Sequence, residues 1–151
     1  MGSPLKTGLV ALLLALAGPA GADVESGWQA FLNGDYETAL NELEPAAEAG
    51  DATAQYYLGV LYDHGEGVIR NYRTATGWYE KAAAQGNTDA QFNLGMIYYN
   101  GTSEPGAVPQ DQAAAARWLE PAAEAGHPMA NYLMCQLVDE GKVVERDLTR
   151  A

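Results

Sequence analysis

The chain is poor in the residues that would staple it, charge it positively or arm it for chemistry. It has one cysteine, Cys135, in 151 residues, so no internal disulfide holds it together. Eight Lys and Arg stand against 20 Asp and Glu, and from Asp23 to Ile69 there are ten acids and not one Lys or Arg. Such a surface repels phosphate backbones, which excludes nucleic acid as a partner. It is electrically suited to a basic partner, although solubility alone also accounts for an acidic surface. After the first residues, serine occurs only at Ser26 and Ser103, neither of them in a Gly-x-Ser-x-Gly or Ser-x-x-Lys setting. His64 and His127 lack metal-ligand spacing. No Gly-x-x-x-x-Gly-Lys loop is present, and Gly65-Glu66-Gly67 lacks the third glycine and the preceding strand of a dinucleotide site. No catalytic group, metal or cofactor is therefore expected, and the chain does not read as an enzyme. His64 reads as a solvated or groove-edge histidine, with a metal role as the alternative, and His127-Pro128 as a helix opening.

Long apolar runs are missing too. Leu9 to Ala17 is apolar throughout, follows Lys6 and leads through Gly18-Pro19 to Ala20-Gly21-Ala22. A stretch this short, ending small-x-small, reads as a cleaved secretory signal over residues 1–22, because spanning a bilayer takes ~20 apolar residues. An uncleaved anchor is the rival reading. Cleavage would leave seven basic residues against 20 acids, a net charge of −13. The expectation is an exported protein, periplasmic or secreted, with no stable membrane insertion after cleavage.

What is present is a repeat. Ala46-Ala47-Glu48-Ala49-Gly50, Ala82-Ala83-Ala84-Gln85-Gly86 and Ala122-Ala123-Glu124-Ala125-Gly126 close on glycines 36 and then 40 residues apart. Self-similarity at that period signals stacked helical hairpins. Eleven residues before each glycine stand Ala39, Ala75 and Ala115, and seven before it Leu43, Tyr79 and Leu119. With the Ala-Ala pairs these make one helical stripe, which the glycine terminates.

A further helix follows each glycine, over about Asp51 to His64, Asn87 to Asn100 and His127 to Glu140. Its aligned positions include Ala54, Ala90 and Ala130; Leu58, Leu94 and Met134; Gly59, Gly95 and Cys135; Leu61, Ile97 and Leu137. Glycine inside a helix costs about 1 kcal/mol relative to alanine, so two at one register predict close approach of a neighbouring helix. Cys135 at that register reads as a small packing residue, and a reactive thiol is the alternative. Gly101 to Asp111 carries four residues more than the matching loop at Gly65 to Asn71, with Pro105, Gly106 and Pro109 among them, and is expected to be an exposed loop.

Ala54-Gln55-x-x-Leu58-Gly59-x-x-Tyr62, then Gly65-x-Gly67-Val68, then Trp78-Tyr79-x-Lys81-Ala82-Ala83-x-x-Gly86, resembles the Sel-one-like repeat (SLR) family, relatives of the tetratricopeptide repeat. The resemblance covers about residues 27–151. It implies an all-α fold, a right-handed α/α superhelix or solenoid of antiparallel helix hairpins, acting as a scaffold or regulator of other proteins. Residues 23–50 are expected to form an N-terminal capping hairpin like a tetratricopeptide, 51–86 repeat 1, 87–126 repeat 2 and 127–151 an incomplete repeat 3. Some cysteine-rich relatives are linked to β-lactam hydrolysis but carry paired cysteines in each repeat, which this chain lacks. Asp147-Leu148-Thr149-Arg150-Ala151 aligns with the start of the second helix of a hairpin, too short to cover Ala130, Met134, Leu137 and Val138. That end is expected to be completed by further repeats, by a partner chain or by self-association.

In the helix from Asp51, successive residues turn by about 100°, which sets Tyr56, Val60 and Asp63 opposite Ala54, Leu58 and Leu61. The apolar set is expected to pack on the other helix of its hairpin. By the resemblance, the outward set lines the concave face of the stack. Tyr56, Phe92 and Tyr132 would then form one ladder, and Val60, Met96 and Gln136 the next. Asp63, Tyr99 and Asp139 would run along the edge with His64, Asn100 and Glu140. Rings flanked by acids suit a protein or peptide with basic and apolar side chains, and a glycan or peptidoglycan fragment is the alternative ligand. The alternative for the rings themselves is plain packing between adjacent repeats.

Overall fold

The computed structural model describes residues 23–139, so the expectations for residues 1–22 and 140–151 lie outside the described residues. Seven helices and no strands occur among the described residues: α1 (Val24–Leu32), α2 (Tyr36–Glu48), α3 (Ala52–His64), α4 (Tyr72–Ala84), α5 (Thr88–Asn100), α6 (Gln112–Glu124) and α7 (Pro128–Asp139). Each element packs on its neighbours in sequence, which makes the chain an all-α solenoid of antiparallel hairpins.

The helix starts explain part of the acid excess. Asp23, Asp35, Asp51 and Asp111, with Asn71 and Asn87, are N-caps whose side chains accept from backbone N–H groups of the first turn. At α7 the imidazole of His127 takes that place, its Nδ1 accepting from Ala130 N at 3.3 Å. The repeated signature performs the matching task at helix ends. Gly50, Gly86 and Gly126 have φ of +101°, +88° and +89°, and the residue after each donates its N–H back to Ala46, Ala82 or Ala122 O at 3.0, 3.1 and 2.9 Å. That is the Schellman closure, and here the donor is also the next helix's cap. Asn33-Gly34-Asp35 closes α1 the same way, Asp35 N reaching Ala30 O at 2.9 Å.

Gln55 and Gln91 lock consecutive helices together. Both are buried, and their Nε2 groups donate to the helix-terminal carbonyls of Ala47 at 3.0 Å and Ala83 at 3.2 Å. In the third unit the position is Asn131, one methylene shorter and exposed.

Three expectations meet the packing. First, the stripe Ala54, Leu58 and Leu61 is held from both sides: it shares a buried cluster with Ala39, Leu43, Ala46 and Ala47 of α2, and Trp78 of α4 packs against that cluster. Ala90, Leu94 and Ile97 likewise join the cluster of α4, and Ala130, Leu133 and Leu137 that of α6. A periodic stripe states which face is apolar, not which of two flanking helices it meets. Second, the 101–111 insertion is a packed segment. Val108 is buried in the α4–α5 core, Tyr72 N donates to Pro105 O at 3.1 Å, and Asp111 N to Tyr98 O at 2.8 Å. Third, Cys135 is exposed. The register it shares is tight elsewhere: a Cβ on Gly59 would lie 2.5 Å from the Tyr79 ring, one on Gly95 2.6 Å from Leu119, and one on Gly27 2.8 Å from Leu43.

Candidate functional site

The first helices of the hairpins, α1, α3, α5 and α7, contain no Lys or Arg, and each contains one acid: Glu25, Asp63, Asp89 and Asp139. The basic residues among the described residues are Arg70, Arg73, Lys81 and Arg117, all in the second helices or the loops leading to them. Three of them have local partners: Lys81 Nζ lies 4.0 Å from the centroid of Trp78, Arg70 sits over Tyr72 at 5.5 Å, and Arg73 donates to Ala107 O at 3.4 Å. Cations, but not acids, are thus segregated by helix type: the second helices hold Arg73, Lys81 and Arg117 beside acids of their own, whereas the first helices hold acids alone.

The sequence-selected residues divide into two groups. In the first, Tyr56, Val60 and Asp63 are half-buried on α3. Tyr56 tilts at 38° to Tyr79 with centroids 6.1 Å apart and meets Tyr57 at 5.3 Å. Tyr79, fully buried on α4, donates its hydroxyl to Asp63 Oδ2 at 3.2 Å and accepts from Asn93 Nδ2 of α5 at 3.4 Å. Burial pushes the Asp63 carboxyl above its ordinary range, against the opposing pull of His64, the Tyr79 hydroxyl and Arg70. Burial, and then the Asp63 charge, raise the Tyr79 phenol as well. Burial followed by the charge of Asp89 does the same to Tyr56, and burial followed by the charges of Glu25 and Asp89 does so to Tyr57. Those shared fields draw acids from α1, α3 and α5 around one aromatic patch.

In the second group, Phe92 stacks on His127 with centroids 4.2 Å apart, and Met96 and Tyr99 pack half-buried against the α6–α7 core. Gln136 joins two tyrosines, accepting from the Tyr99 hydroxyl at 3.4 Å and donating to the Tyr132 hydroxyl at 2.9 Å. Tyr132 is 56% exposed. His64, Asn100 and Asp139 are exposed at the edge, and Glu140 lies outside the described residues. Tyr56, Val60, Phe92 and Met96 therefore do two things at once: part of each ring or chain seals the next repeat and part stays accessible.

Sequence reasoning missed Tyr79, Asn93, Asp89 and the stacked pair Trp28 and Tyr57, whose centroids are 4.2 Å apart at 6°. Tyr79 had a signal, since its hydroxyl stands where the other units have Leu43 and Leu119. Among the described residues there is no group of three His, Cys, Asp or Glu able to hold a metal, and no helix is long and apolar enough to cross a membrane.

Comparison with known proteins follows the same three units. The model of the Sel1 repeat matches residues 52–87, 88–127 and 128–151. A Sel1 repeat protein from Oxalobacter formigenes is 36% identical, with a TM-score of 0.72 over 79% of this chain and 47% of that one. A protective antigen present in uropathogenic Escherichia coli strains and displaying an SLR fold is 35% identical, with a TM-score of 0.71 over 82% of this chain and 27% of that one. The chain thus spans about half the length of the first and about a quarter of the second. The cysteine-rich protein B of Helicobacter pylori shares the fold, with a TM-score of 0.59 at 21% identity over 70% of this chain and 78% of that one. No curated protein matches the chain. Sel1 repeat proteins are helical-repeat scaffolds that generally mediate protein–protein interaction rather than catalysis.

Proposed function

The chain belongs to the Sel1 repeat family, and from that premise we propose that it is an exported scaffold or adaptor that binds another envelope protein or peptide through the face built by its first helices. Regulation or inhibition of that partner would follow from occupying it. The observation that carries the reading is the absence of cations from this face: four first helices without Lys or Arg, one acid on each, interleaved with accessible aromatic rings. Unlike charges across an interface steer encounter, and rings supply most of the area at low entropic cost. The partner segment is accordingly basic and apolar.

Affinity capture from an envelope extract tests this when run beside a variant with Asp89→Lys and Asp139→Lys. Both side chains are exposed, so the variant keeps its fold while the face loses its net negative charge. Basic proteins should be captured by the native chain, released by salt and absent from the variant. Equal capture by both would refute the reading, and a ligand that persists through high salt on the rings alone would point to a glycan.

A further inference from the structure

Asp63 stands apart from the other acids of this face. It caps no helix and is half-buried beside rings, and only one of its oxygens is used: Oδ2 accepts from Tyr79, while Oδ1 accepts no hydrogen bond among the described residues. Yet Oδ1 is not shut away, since the one side-chain oxygen found both buried and unpartnered among the described residues is on Glu66. A carboxylate oxygen without a protein partner and not fully enclosed, on a half-buried side chain, gains more from an incoming cation than a fully solvated acid does. Tyr79 and Asn93 hold its other oxygen in place through a chain of two hydrogen bonds, at 3.2 and 3.4 Å, that ties α3, α4 and α5 together. The carboxylate is therefore presented in one orientation. The half-buried ring of Tyr56 lies beside the same phenol, within the field of the exposed Asp89. Two basic side chains act on it, and among the described residues neither forms an ion pair with Asp63: His64 is exposed, and Arg70 leans over Tyr72.

Resting on the proposed binding face, we infer that Asp63 and Tyr56 form a socket for one arginine or lysine head of the bound segment. The cation pairs with Oδ1, and its aliphatic stem lies against the Tyr56 ring. Tyr79 and Asn93 are positioning residues that touch the carboxylate and not the ligand. Tyr99 stands at the matching position of the next unit and Asp139 at that of the third, so the face has one embedded acid rather than a ladder of equals.

The test uses isotope-labelled protein titrated with a blocked Leu-Arg-Leu-Phe tetrapeptide and with its citrulline analogue, which keeps the shape of arginine and loses the charge. The arginine peptide should shift the Asn93 side-chain amide and the Tyr56 ring resonances. Citrulline should bind about tenfold more weakly or worse, the loss expected for one hydrogen bond to a charged group. Asp63→Asn retains an acceptor for Tyr79 and should show the same loss, whereas Glu44→Gln, at an exposed acid of the second helix α2, should not. Equal binding of the two peptides, or unchanged binding by Asp63→Asn, overturns the socket. If both peptides still shift Tyr132 and Met96 in that case, the binding face survives without the socket. If neither peptide shifts any first-helix residue, both proposals fail.

Discussion

Replacing Gly59 by alanine sets two effects of known size against each other. Glycine in a helix interior costs about 1 kcal/mol relative to alanine, so the substitution should stabilise α3 by about that much if nothing else happens. The new Cβ, however, would lie 2.5 Å from Cδ1 and Cε1 of Tyr79. Tyr79 has no room to retreat: its side chain is fully buried and its hydroxyl is held by Asp63 and Asn93. Overpacking of this kind costs about 1–3 kcal/mol, so the net expectation for Gly59→Ala is a loss of up to about 2 kcal/mol. Gly77 on α4 is the internal control, because a Cβ there meets nothing within 4 Å and its φ is not positive. Gly77→Ala should therefore stabilise by about 0.5–1 kcal/mol. Urea unfolding of the two variants beside the native chain reads the difference. If Gly59→Ala stabilises as much as Gly77→Ala, the register-glycine argument is wrong.

Gln91→Leu should leave the carbonyl of Ala83 buried without its donor and cost about 1–3 kcal/mol, which denaturant unfolding will show; a neutral result would mean that water replaces the amide. Asp63→Asn should be at least as stable as the native chain at neutral pH. Because burial raises the folded-state pKa of Asp63, its charge opposes folding above that pKa, and stability is regained as pH falls toward the unfolded value near 4. The native chain should therefore carry a component of stability that rises on acidification in that window and disappears in the variant, as pH-resolved unfolding will report. Asp35 has the opposite sign. Its carboxyl is held low by the Thr38 hydroxyl and then by the Thr38 N–H, so its contribution is present above the ordinary aspartate value and lost as pH drops through the lowered one. Asp35→Asn should weaken that acid-sensitive component, and an unchanged acid limb would refute the cap.

Much of the fold was legible because its rules are local. The Ala-Ala-x-x-Gly signature, the Asp and Asn caps and the 3.6-residue stripes act within one or two turns, so their order along the chain declares helix, stop, helix. The fourth register glycine position, Gly27, was equally present in the sequence but hidden, because the loop after α1 is shorter and breaks the period. Val108 in the insertion was misjudged for a related reason: Pro and Gly mark a non-helical segment, and nothing in them states that the segment folds back against α4. The candidate site was legible only as a list. Tyr56, Val60 and Asp63 were selected from helical angles, whereas Tyr79 and Asn93, which orient Asp63, come from two other helices.

By itself the sequence determined the all-α repeat architecture, the helix ends and the absence of positive charge from the first helices, since each depends on residue type and short spacing. Tertiary structure decided the neighbours. It placed Ala54, Leu58 and Leu61 against α2 and turned Tyr56 toward α4. It also half-buried one carboxylate with one oxygen free, because burial and orientation depend on what several distant segments contribute to the same few ångströms.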